Sequence, residues 1–105
     1  MNVEEKTEKL TQFITDNKLN FNLGIGSGLN SACVTLCGYA LYLGDLEGDM
    51  IDETDVINAV DKSFIKIPVN RTDYVSEIKR VFDYAEDNLY GEWWKHPSAK
   101  KQYKF

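Results

Sequence analysis

SACVTLCGYALYL, residues 31–43, is the most apolar stretch of the chain, and it decides the fold. After Ser31, only Thr35 and Gly38 interrupt the apolar residues, so a helix wound from this stretch has no polar face. A helix that is apolar all round is buried on most sides. The sequence therefore predicts a central helix here, with the remaining elements packed around it.

Three amphipathic patterns outside this stretch predict three further helices. The first covers about residues 2–18 and carries a narrow apolar stripe. The second begins at Asp52, because Asp55 stands three residues later, where a capping partner is expected. The last covers about residues 72–93, where apolar residues recur at helical spacing and charged residues fill the other face.

Two short stretches alternate between apolar and polar residues, which is typical of half-buried strands. They are residues 19–25 and residues 64–69, and Pro68 would confine the second to a sheet edge. We therefore predict a mainly α, four-helix single domain around a buried central helix, with a short two-stranded β ribbon as an option. An α+β fold is the alternative. The domain is expected to cover residues 1–96, followed by a basic, aromatic tail at residues 97–105.

Length and composition favour one soluble globular domain. The chain has 105 residues, of which 43% are hydrophobic, and its net charge is −5. No window approaches the ~20 apolar residues that cross a bilayer, and the N-terminus lacks the apolar core of a signal peptide. We therefore expect a cytoplasmic protein that does not bind membranes.

Charge is concentrated in residues 45–61, the acidic belt, which contains seven acids and no base. Such a surface attracts a basic partner over about a Debye length. Trp94, which lies off the apolar stripe of the last helix, is a further candidate contact. The predicted partner-binding residues are Asp45, Glu47, Asp49, Asp52, Glu53, Asp55, Asp61 and Trp94.

Catalytic and metal-binding patterns are weak throughout the chain. The belt does not fit a calcium loop, because Met50 and Val56 occupy the positions that require glycine and glutamate. His96 is the only histidine, so any Ser-His-Asp or Cys-His set would have to use it, and its place beside Pro97 in the tail does not support such a set. Cys33 and Cys37 fit two buried hydrophobes better than a metal site. We therefore expect a protein that is not an enzyme and that has no metal and no cofactor.

The glycine-rich stretch NLGIGSGLNS, residues 22–31, allows two interpretations. In the first, it is a sharp turn, and Asn30 or Ser31 caps the central helix. In the second, exposed N–H groups and the helix dipole hold an anionic metabolite or a nucleotide. The ligand-binding residues would then be Gly24, Gly26, Ser27, Gly28, Asn30 and Ser31.

The order NLGIGSG, residues 22–28, resembles the first motif of S-adenosylmethionine-dependent methyltransferases, an acid-x-G-x-G-x-G loop after the first strand. The resemblance covers these seven residues only. Asn22 stands where the family has an acid, and the further strands of that fold have no counterpart in this sequence. The dinucleotide fingerprint fits no better, since its last glycine is replaced by Ser31.

These observations favour a non-enzymatic regulator or inhibitor whose acidic surface binds a protein partner with a basic surface. Small acidic inhibitors of phages and mobile elements belong to this physical class, and nucleic-acid mimicry is one mechanism open to it. Direct binding of nucleic acid is disfavoured by the isoelectric point of about 4.8. A homodimer stays open. The alternative function is a module that binds a small anionic ligand through residues 24–31.

Overall fold

The computed structural model describes residues 1–89, and their side chains through residue 84, as four helices. In chain order they are α1 (Val3–Asp16), α2 (Leu29–Glu47), α3 (Glu53–Lys62) and α4 (Arg71–Leu89). The predicted mainly α, four-helix fold is confirmed. The proposed boundary at residue 96 and the tail that follows it lie outside the described residues.

Helix α2 lies at the centre of the domain, as its composition predicted. Leu36, Cys37 and Ala40 are fully buried, and α2 packs against each of the other three helices. The helix begins at Leu29, two residues before the predicted start at Ser31. Burial of an almost wholly apolar helix supplies the main hydrophobic stabilisation of this fold.

Local capping chemistry sets the first residues of α1 and α3. The side chain of Asn2 accepts a hydrogen bond from the backbone N–H of Glu5 at 2.8 Å. At α3, Asp52 and Asp55 form a reciprocal capping box, as predicted. Helix α1 ends at Asp16 rather than near Lys18, because Lys18 adopts a left-handed conformation with φ of 53°.

The optional ribbon and the α+β alternative are wrong, because residues 1–89 contain no strand. Residues 19–25 and 64–69 form irregular connections instead. The side-chain amide of Asn70 donates to the carbonyl oxygens of Phe21 at 3.1 Å and Leu23 at 3.0 Å. The side chain of Asn70 thus joins the two segments in place of the backbone hydrogen bonds of the predicted ribbon.

The helices run between two ends of the molecule. The loop end carries the α1–α2 connection, residues 17–28, and the α3–α4 connection, residues 63–70, which Asn70 joins. The belt end carries the N-terminus and the α2–α3 connection, residues 48–52. Helix α2 leads from the loop end to the belt end over about 28 Å.

None of the helices within residues 1–89 combines the length and the apolar composition needed to cross a membrane.

Candidate interaction surface

The acidic belt begins in the last turn of α2, where Asp45 and Glu47 are exposed. No basic residue lies in that turn, so these carboxylates face the negative end of the helix dipole. Each such placement costs about 0.3–1 kcal/mol at an exposed site. The stability of the helix therefore does not explain why Asp45 and Glu47 lie in this turn.

Asp49 is held by groups of the same chain. Its carboxylate lies 2.8 Å from the amino group of Met1 and 3.7 Å from Lys6 Nζ. The hydrogen bond from the amino group lowers the pKa of Asp49, and the same contact raises the pKa of the amino group. Lys6 Nζ also donates to the Met50 carbonyl at 2.9 Å. Asp49 and Lys6 together therefore connect α1 to the α2–α3 connection.

Asp52 and Asp55 cap the start of α3. The Asp55 N–H donates to Asp52 Oδ1 at 3.0 Å, and the Asp52 N–H donates to Asp55 Oδ2 at 3.1 Å. Lys6 Nζ lies 4.0 Å from Asp55 Oδ2. Both carboxylates also favour the positive end of the helix dipole, so both have a structural role.

Asp61 joins α3 to α4. Arg71 donates to it in a bidentate manner, at 2.9 Å from Nε and 2.7 Å from Nη2, and the hydroxyl of the buried Tyr74 donates to Oδ1. Partial burial raises the pKa of Asp61, but the hydrogen bonds from Arg71 and Tyr74 lower this pKa by a larger amount. The pKa of Asp61 therefore lies below its ordinary value. Burial, followed by the contact with Asp61, raises the pKa of Tyr74.

Three belt carboxylates remain, and we call them the presented carboxylates: Asp45 and Glu47 are exposed, and Glu53 is half-buried in the first turn of α3. Within residues 1–84, Asp45 and Glu53 take part in no ion pair or side-chain hydrogen bond. Glu47 lies 3.9 Å from Lys9, but both side chains are more than 40% exposed, so this pair is worth little. The belt that the sequence predicted as one surface therefore divides into two sets.

Two exposed apolar side chains near the presented carboxylates were not predicted from the sequence. Leu46 is 64% exposed and Met50 is 76% exposed. Leu46 lies between two exposed acids and outside the predicted central stretch. These two features of the sequence could have predicted its exposure. An apolar contact bordered by charges is the usual composition of a protein interface. Trp94, the remaining predicted contact, lies outside the described residues.

The glycine-rich stretch forms an exposed turn that leads into α2. Gly26 and Gly28 adopt positive φ values of 84° and 114°, as expected for such a turn. Gly28 is the N-cap residue of α2, and no side chain caps the helix. The predicted cap by Asn30 or Ser31 is wrong, because the helix begins before both residues. Gly24 and Ser27 close the turn through a backbone hydrogen bond of 3.0 Å.

Asn30 contacts α4 instead of capping α2. Its amide donates to Glu77 Oε2 at 3.2 Å, and Arg80 donates to the same carboxylate at 2.7 Å. The hydrogen bonds from Arg80 lower the pKa of Glu77, which is 9% exposed. An ionised carboxylate thus lies beside Asn30, which weakens the attraction of the nearby helix terminus for an anion.

The two cysteines are buried and reduced. Burial raises the pKa of Cys33 to about 12 and the pKa of Cys37 well above its ordinary value. Both thiols are therefore protonated and poorly reactive at neutral pH. No group of three or more potential metal ligands occurs among the described residues.

Comparisons with protein-family models, with curated proteins and with solved structures found no match for this chain.

Proposed function

We propose that this protein acts without catalysis, as a small regulator or inhibitor that binds a basic surface of a protein partner through its presented carboxylates. The observation that carries the proposal is the placement of Asp45 and Glu47 in the last turn of α2. The helix dipole opposes them there, and no basic residue in that turn compensates them. Departures from the local rules of stability are expected mainly at functional or strained sites.

The surroundings of these carboxylates support the same interpretation. Asp45 and Glu47 lie on a helix whose other side is buried in the core, so their positions are fixed before a partner arrives. Such preorganisation reduces the ordering cost of binding. Leu46 and Met50 add exposed apolar area beside the charges, which provides contacts that salt does not screen.

Mimicry of a nucleic-acid backbone is the mechanism that we attach to this proposal, as in acidic inhibitors of phages and mobile elements. Carboxylates on a rigid helical body carry the negative charge that a basic nucleic-acid groove attracts. We further place the protein in the cytoplasm, where free cysteines such as Cys33 and Cys37 stay reduced.

Affinity capture with charge-reversed variants tests the proposal. Immobilised wild-type protein should retain a basic protein from lysate, and Asp45→Lys with Glu53→Lys should retain at least tenfold less of it. The matched control, Glu8→Lys with Asp83→Lys, changes the net charge equally at exposed positions outside the belt. It should retain the partner almost as the wild type does.

The salt dependence of the same capture separates charge recognition from other contacts. Retention should fall steeply between low and moderate ionic strength, because exposed charges are screened over about 8–10 Å there. Added duplex DNA should displace the captured protein if the belt imitates a nucleic acid. Equal loss in the belt variant and in the control would contradict the proposal.

A second candidate function rests on the first turn of α2, which has neither a side-chain cap nor an acidic residue. The N–H groups of this turn and the exposed turn of residues 24–28 could hold an anionic metabolite. A phosphate-bearing metabolite should then raise the melting temperature of the wild type. The rise should vanish in Gly26→Val, because valine is strained at the positive φ of residue 26.

A further inference from the structure

The loop end exposes four aliphatic side chains on two adjacent connections. Ile65 and Val69 are fully exposed, and Ile25 and Ile67 are at least half exposed. Their neighbours in sequence do form the core contacts of this region, since Phe21 and Phe64 both pack against Tyr74. The exposed side chains are therefore not required for packing within the chain, and grouped exposed apolar residues mark interaction surfaces.

Charge at the loop end has the opposite sign to that of the belt. Residues 17–28 and 63–70 contain Lys18 and Lys66, both exposed, and no acidic residue. The helix ends that border these connections add the basic residues Lys62 and Arg71 and the acids Asp16, Asp61 and Asp73, of which Arg71 and Asp61 pair with each other. These four basic and three acidic residues leave the loop end with a net charge of +1, so this end is weakly basic and apolar in a chain whose net charge is −5.

The belt end complements the loop end in both respects. It combines the presented carboxylates with the exposed side chains of Leu46 and Met50. Helix α2, about 28 Å long, leads from one end to the other. One copy can therefore contact a second copy through opposite ends, whereas two loop ends or two belt ends would bring like charges together.

We propose that the loop end binds the belt end of a second copy of this chain, in a head-to-tail contact. Exposed Ile65 and Val69 meet the apolar side chains beside the belt, and the lysines approach the presented carboxylates. Such a contact is heterologous, so each pair keeps one free loop end and one free belt end. Association therefore grows with protein concentration and weakens as salt screens the charges.

This inference shares the belt with the proposed function but needs no foreign partner. A copy seated on the belt covers the same carboxylates that the proposed partner binds. A variant of the loop end loses self-association and keeps partner binding, whereas a variant of the belt end loses both. Failure of one proposal is therefore distinguishable from failure of the other.

Sedimentation velocity of the full chain tests the inference. The weight-average mass of the wild type should rise above the 12.0 kDa of the monomer with concentration at low salt. It should return to the monomer near 1 M salt, where the screening length is about 3 Å. Ile65→Glu should weaken association at least tenfold, and the control Ser76→Glu, which adds the same charge at an exposed position of α4, should not.

Mixing two variants identifies the geometry. Ile65→Glu keeps an intact belt end, and Asp45→Lys with Glu53→Lys keeps an intact loop end. Each should be monomeric alone, and an equal mixture should form a 1:1 pair that does not grow further. Circular dichroism melting checks that both variants fold, and Val69→Ser repeats the test without adding charge.

Several outcomes would overturn the inference. A wild type that stays monomeric at every concentration would do so. Self-association of the belt variant alone would show that loop ends contact each other. Binding of anionic phospholipid vesicles by a monomeric wild type, lost in Ile65→Glu, would assign the loop end to a lipid surface instead.

Discussion

The acidic belt and the loop end differ in how much of their chemistry the fold itself uses. In the belt, five of seven carboxylates contact groups of the same chain, four of them firmly, as Asp61 does with Arg71 and Tyr74, and Glu47 only through an exposed pair with Lys9. At the loop end, Asn70 joins the two connections, and aliphatic side chains such as Ile65 extend into solvent. Some charged residues that the sequence predicts to be exposed therefore make structural contacts, and some apolar residues that the sequence predicts to be buried lie at the surface.

The largest effect is expected at Asp61, the belt carboxylate that the fold uses most. Asp61→Asn removes the charge that Arg71 and Tyr74 contact and places an amide N–H₂ against a donor. We expect a loss of about 2 kcal/mol in the free energy of unfolding, the range of hydrogen bonds to charged groups. Urea denaturation at neutral pH measures it. A loss no larger than that of an exposed acid such as Glu8 would remove the contrast within the belt.

The pH dependence of the same variant sharpens this result. The pKa of Asp61 is lowered in the folded protein, so its contribution is present above the ordinary value of 3.8 and is lost as pH falls through the folded pKa. The stability difference between wild type and Asp61→Asn should therefore be constant near neutral pH and shrink in acid below 3.8. Denaturation curves over a pH series check this, and a constant difference down to strong acid would contradict it.

At the loop end, the strongest effect is expected at Asn70. Asn70→Ala removes two hydrogen bonds and leaves the carbonyl groups of Phe21 and Leu23 without this donor. We expect a loss of about 1–2 kcal/mol in unfolding free energy. Amide hydrogen exchange should also accelerate in residues 19–25 before the core exchanges. Unchanged exchange there would show that Asn70 does not hold the two connections together.

A smaller effect of opposite sign is expected at Asp45. Asp45→Asn removes a negative charge from the C-terminal turn of α2, where no partner within residues 1–84 compensates it. We expect a gain of about 0.3–1 kcal/mol, from the helix dipole. Urea denaturation of Asp45→Asn and Asp61→Asn in parallel measures the expected gain and the expected loss in unfolding free energy. A loss of stability would mean that Asp45 has a structural partner.

The smallest effect is expected at Ile65. Ile65→Ser removes a fully exposed side chain, so the unfolding free energy should change by less than about 0.5 kcal/mol. Thermal melting at low protein concentration measures the monomer alone. A loss as large as that of a core substitution would show that Ile65 packs within its own chain.

The parts of this fold that the sequence predicted correctly depend on local chemistry. Residues 31–43 are apolar on every side, so burial of α2 follows from composition alone. Asp52 and Asp55 cap α3 because their spacing of three brings each side chain to the other's N–H. These features need no knowledge of distant residues.

The parts that were wrong or missed depend on which distant residues meet. Alternation in residues 64–69 predicted a ribbon, but alternation does not specify what covers the apolar side, and here nothing in the described chain does. The contact between Asp49 and the Met1 amino group spans 48 residues, so the sequence offered no reason to separate Asp49 from Asp45. The division of the belt therefore required the structure.

Capture by a variant with both exposed acids of the last α2 turn neutralised, Asp45→Asn with Glu47→Gln, tests the central claim most directly. The account predicts a protein at least as stable as the wild type that no longer retains the basic partner. A variant that folds and retains the partner as the wild type does would contradict the claim that these carboxylates are kept for binding.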